Sequence, residues 1–161
     1  MKQYFIEQKE FSWSGEYEIW DESGKAAYRI EGTPLSWGQT VNFLNEKEEV
    51  VLSAMQKVCG VVPRCALMEQ DTEVTEVFKE PAFLKFNYRL NGLDWKIAGS
   101  PEKQRYQMKD GDAVIATVEP SIYNDKDVYT VSVMEEKQAV KALGLFFILT
   151  FVMNAARGTA S

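Results

Sequence analysis

The sequence predicts a mainly β domain in which twelve short strands wall a barrel around a hydrophobic C-terminal helix. Three observations predict it. Residues 3–134 alternate apolar and polar side chains in short runs, the period of strands with one buried face. Turn chemistry separates the runs: Asp21-Glu22-Ser23-Gly24, Asn91-Gly92 and Asp110-Gly111 each supply a glycine for the positive φ of a tight hairpin. The chain then changes character, and residues 142–156, ALGLFFILTFVMNAA, carry no charge.

In chain order, the alternation predicts strands near 3–9, 16–21, 26–32, 40–45, 49–57, 64–70, 73–79, 83–90, 94–99, 104–110, 113–119 and 128–134. A short repeat supports a meander of hairpins: Phe11-Ser12-Trp13 returns as Leu35-Ser36-Trp37, each followed by a strand, an acidic turn and a second strand. The helix is expected over about 137–157, rich in Leu, Ala, Phe and Met. Its uncharged run, at ~1.5 Å per residue, reaches ~22 Å, short of the ~30 Å hydrocarbon core, so no membrane span is expected. A helix apolar on all sides must be enclosed on all sides. About eight strands close a barrel that side chains alone fill, and a wider one needs a plug such as a helix ~10–12 Å across.

Composition narrows function by exclusion. With 161 residues, 45% hydrophobic and 26% charged, the chain is long enough for one globular domain. No linker divides it, so residues 1–161 are read as one unit. A net charge of −6 opposes nucleic acid as a partner. The start, MKQYFIEQKE, lacks the apolar stretch of a signal peptide, and a cytoplasmic location is expected. With no histidine, neither Ser-His-Asp nor Cys-His catalysis is available. Cys59 and Cys65 have no zinc-ligand spacing, and Asp110-Gly111-Asp112 lacks the further ligands of a calcium loop. No cofactor, metal or catalytic group is expected.

Several segments resemble the LURP-one-related family of tubby C-terminal-like domains. They are Tyr4-Phe5-Ile6-Glu7-Gln8-Lys9, then Phe11-Ser12 with Tyr17-Glu18-Ile19-Trp20-Asp21-Glu22-Ser23-Gly24. Gly92-Leu93-Asp94-Trp95-Lys96-Ile97-Ala98-Gly99, Tyr106-Gln107-Met108, Val114-Ile115-Ala116 and the final apolar helix follow in the same order. The resemblance implies a closed twelve-stranded barrel around a central C-terminal helix. It implies little about activity, since bacterial members have none defined, whereas related tubby domains bind phosphoinositide head groups through basic residues. The chain departs from the family at Glu119-Pro120, where relatives often carry a basic residue.

In an up-and-down meander the turns divide between two rims. Those after odd-numbered strands sum to +1, and the others to −8. The less acidic rim holds a basic arc of Lys57, Arg64, Lys79, Lys85, Lys103 and Arg105, with Trp13 and Trp37 in its turns. Cations beside tryptophan suit an anionic lipid face. The same residues also suit a plainer role, indoles capping the core and lysines solubilising the rim. The leading expectation is a non-enzymatic binding or scaffold domain, cytoplasmic or peripheral at a membrane. Lys57, Arg64, Lys79 and Lys85 would receive an anionic phospholipid head group or another anionic ligand. The alternative is a cytosolic protein-interaction module with no lipid role.

Overall fold

A computed structural model describes residues 1–32, 39–57, 64–80 and 87–156. Its strands are β1 (Lys2–Glu7), β2 (Glu16–Asp21), β3 (Ala26–Gly32), β4 (Thr40–Leu44), β5 (Val50–Lys57), β6 (Arg64–Glu69), β7 (Thr72–Glu80), β8 (Asn87–Asn91), β9 (Trp95–Ser100), β10 (Arg105–Asp110), β11 (Ala113–Tyr123) and β12 (Lys126–Val133). A 3₁₀ turn, Glu136–Gln138, then leads into α1 (Ala139–Ala156).

All twelve strands belong to one antiparallel sheet in the order β8-β7-β6-β5-β4-β3-β2-β1-β12-β11-β10-β9. The first and last strands zip together from Lys2↔Val133 to Glu7↔Val128, which brings the sheet round on itself. The barrel is nearly closed rather than fully laddered. β8 and β9 stand at the two ends of the strand order, and no ladder joins them. The Tyr88 hydroxyl bridges this seam, donating to Glu102 Oε1 at 2.9 Å in the 3₁₀ turn after β9.

Strand β11 runs through Pro120 to Tyr123, beyond the expected end at residue 119. The β10 ladder stops at Tyr106↔Val118, so the rest of β11 pairs with β12 alone. On such a one-sided stretch the missing N–H of proline costs no ladder bond.

The helix fills the barrel. Leu143, Leu145, Phe147, Ile148, Leu149 and Val152 are all buried, so its faces all meet the wall. It enters at the acidic rim, where Lys2 Nζ pairs with Glu136 Oε1 at 3.0 Å. At the opposite end Phe151 stacks on Trp13, centroids 4.3 Å apart. Between them Phe147 meets Phe11 at 5.1 Å and Phe43 at 5.8 Å, tying the helix to the first hairpin and β4. Gly144 marks the closest approach to the wall, facing Leu52 of β5 and Leu67 of β6. Each buried Leu or Phe contributes about 1.5–3 kcal/mol, so the helix supplies much of the driving force for the barrel around it.

Candidate functional site

The interior offers no chamber for a ligand among the described residues. Where the helix end meets the wall, a void of about 10 Å³ lies among Gln104, Tyr129, Phe146 and Thr150. That is room for about one water. Gln104 Nε2 donates to the Tyr129 hydroxyl at 2.8 Å across it. Among the described residues no charged side chain is buried in the core; the charges lie on the outer wall and the rims.

On that wall the structure brings together two of the expected basic residues. Strands β5 and β6 place Lys57 opposite Arg64. Alternation sends Leu52 and Ala54 of β5 into the core and leaves Lys57 on the outside. The neighbouring β7 presents Glu76 opposite Ala66 and Glu73 opposite Met68, on the same outer face. Lys57 Nζ lies 2.6 Å from Glu76 Oε2 and 2.7 Å from Glu73 Oε1, and Arg64 Nη1 lies 2.7 Å from Glu76 Oε1. The Arg64 guanidinium also sits over the Phe78 ring, 4.3 Å from its centroid.

This cluster is electrically self-contained, with two cations against two carboxylates. Glu76 is the hub, its side chain only 15% exposed. Hydrogen bonds from Lys57 and then Arg64 hold its carboxyl below the usual carboxylate value. The bonds to Glu73 and then Glu76 push the Lys57 ammonium up in turn. An incoming anion would compete with Glu76 for both cations.

The remaining expected residues fare differently. Lys79 lies on β7 at the register of Tyr88, and Lys85 lies outside the described residues. Arg105 reaches Glu119 at 3.7 Å, a loose and exposed pair. Trp13 is 7% exposed and stacked in the core, the plainer of the two roles expected for it, while Trp37 lies outside the described residues. Summing charges over turns alone leaves out Glu76, which lies mid-strand, and separates Glu73 from Lys57. The register decides otherwise, because β7 carries both carboxylates along the outer wall to Lys57.

Cys65 is a free thiol facing the core, and burial pushes it up to about 12, so it stays protonated and inert. Cys59 lies outside the described residues. Among the described residues no group of three or more His, Cys, Asp or Glu side chains is placed to hold a metal ion. Among them also no helix is long and apolar enough to cross a membrane.

The described wall also has a concavity that sequence reasoning missed. Strands β1 and β2 share only the rungs Tyr4↔Asp21 and Phe5↔Trp20, then separate. The fork opens a groove of about 260 Å³ with Ile6, Tyr17 and Trp20 among its lining residues. A strand pattern shows which residues alternate, but not where two strands part.

Three comparisons bear on this architecture. The chain is 25% identical over 153 residues to the uncharacterised protein YxjI of Bacillus subtilis (strain 168), covering 95% of this chain and 94% of that protein. An X-ray structure of an Arabidopsis thaliana protein shares the fold at a TM-score of 0.60 and 14% identity, covering 96% of this chain and 91% of that one. The LURP-one-related family model matches residues 2–150, nearly the whole barrel and most of its helix. By that match, the chain belongs to the LURP-one-related family.

Proposed function

We propose that the chain is a non-enzymatic binding domain, a cytoplasmic scaffold whose outer wall engages a protein partner. One observation carries this reading over lipid recognition: Lys57 is already ion-paired with Glu73 and Glu76, and Arg64 with Glu76. Among the described residues the helix fills the barrel interior, which supports it. Affinity capture from native cytosol tests the reading, with a stoichiometric protein partner as the expected result. Flotation with neutral and anionic vesicles is the companion measurement. Negligible binding to both is expected. Flotation selective for anionic vesicles, lost on replacing Lys57 and Arg64 with glutamine, would overturn it.

A second reading keeps the anionic ligand. It is favoured by the register that sets Lys57 and Arg64 side by side, with Lys79 on the adjoining β7. In this reading Lys57, Arg64, Lys79 and Lys85 donate to a phosphate or sulfate group, and Glu76 is the carboxylate that the ligand replaces. Glu76→Gln would then increase anionic flotation, because it frees Arg64 and leaves Lys57 with Glu73 alone. No increase would dismiss this reading.

A further inference from the structure

The groove between β1 and β2 originates in the sequence. Strand β1 stays with β12 to its end, and one residue further the Gln8 N–H donates to the Asp127 carbonyl at 3.0 Å. Strand β2 does not follow. The loop between β1 and β2 turns inward, burying Phe11 and Trp13 in the core. Tyr17 is drawn with it, its hydroxyl accepting the Ser12 N–H at 2.7 Å and its ring meeting Phe11 edge-on at 5.0 Å. The two strands therefore part after two rungs. Ile6 and Glu7 on one side and Glu16, Tyr17, Glu18 and Ile19 on the other continue as strand without rungs to each other. Strand edges of this kind accept an added strand through main-chain hydrogen bonds.

The side chains around the fork specify what kind of strand. Tyr17 and Ile19 point to the core, so alternation leaves Glu16 and Glu18 outward, and both are exposed. Trp20 stands part-exposed at the head of the groove, opposite Phe5. Three cations also line it, and two of them are occupied: Lys9 pairs with Glu7 at 3.5 Å, and Arg29 pairs with Glu48 at 2.6 Å and Glu31 at 3.6 Å. Among the described residues Glu16 and Glu18 have no such partner. Lys126, in the opening residue of β12, is the uncommitted cation of the lining. Two free carboxylates beside an indole face make a receptor for a lysine or arginine side chain, by ion pairing and cation–π contact.

We infer that the fork between β1 and β2 is a docking groove for an extended segment of a partner polypeptide, one that presents a basic side chain to Glu16, Glu18 and Trp20. The segment adds main-chain bonds to the parted strand edges and leaves Lys126 to an acidic group. This inference rests on the protein-partner reading above and names its surface and chemistry.

The test uses the full chain and two short acetylated, amidated peptides of alternating valine and threonine. One carries lysines at intervals, and the other carries glutamates in the same places. Fluorescence anisotropy measures binding to the wild type and to a Glu16→Gln/Glu18→Gln variant, whose exposed changes leave the fold intact by thermal melt. The lysine peptide is expected to bind at least about tenfold more tightly than the glutamate peptide, a difference of ~1.4 kcal/mol. The double variant is expected to remove that preference. Equal binding of the two peptides, no binding of either, or an unchanged preference in the variant would each overturn the docking groove. If the variant still captures the cytosolic partner while both peptides fail, the groove falls and the binding-domain reading stands. If the wild type captures no partner and neither peptide binds, both fall.

Discussion

Replacing Gly144 with alanine sets two effects of opposite sign against each other. Gly144 lies in the second turn of α1, where the gain in helix propensity for Gly→Ala is about 1 kcal/mol. A methyl group there would overlap Leu52 Cδ2 and come within 3.1 Å of Leu67 Cδ2. Leu52 is 1% exposed and Leu67 0%, so neither can swing into solvent, and relief requires off-rotamer side chains or a shift of the helix. Overpacking of this kind costs about 1–3 kcal/mol. The net expectation is a destabilisation of about 1 kcal/mol, a fall in Tm of roughly 2–4 °C for a chain of this size. Differential scanning calorimetry or a urea titration reads it. The decisive control is a double-mutant cycle with Leu52→Ala. That change alone should cost about 2–5 kcal/mol by opening a cavity. The added methyl group of the double variant should occupy part of it, so the pair should cost less than the sum by about 1 kcal/mol or more. If Gly144→Ala stabilised the protein by the full propensity gain, or if the two changes were additive, the close helix–wall contact would be refuted.

Two further outcomes are expected of this packing. Truncation before Ala142 removes Leu143, Leu145, Phe146, Phe147, Ile148 and Leu149 from the core, and at about 1.5–3 kcal/mol each the loss is as large as the whole ~5–15 kcal/mol stability of an ordinary domain. The truncated chain should show no cooperative melt, and a retained sharp transition would contradict the plug. Glu76→Gln should cost about 1–2 kcal/mol at neutral pH, because Arg64 loses its carboxylate partner. The native Glu76 carboxyl titrates below its ordinary 4.5, so its contribution is fully present above that value and is lost as pH falls from there through the lower native value. Chemical denaturation as a function of pH should therefore show a shallower acid loss in the variant, and parallel curves would argue against the network.

Much of the barrel was legible because strands and turns leave local marks. Alternation located β2, β3 and β10 to within a residue at each end, since each buries one face and ends at polar or glycine turns. The helix was legible from a different mark, an apolar stretch with no polar side, which solvent cannot accommodate. The candidate site was far less legible. Lys57 and Arg64 were singled out as free donors, whereas their partner Glu76 lies mid-strand and apart in sequence.

The sequence by itself determined that strands enclose a greasy C-terminal helix, because periodicity and hydrophobicity are properties of single segments. Only the tertiary structure decided what depends on register between segments. The β1–β12 zipper turns the sheet into a barrel. The β6–β7 register brings Glu73 and Glu76 to Lys57 and Arg64 of the basic arc. The inward turn of Phe11 and Trp13 parts β1 from β2 and opens the groove beside Glu16, Glu18 and Trp20. Register sums many weak pairings along two whole strands, and no residue announces it alone.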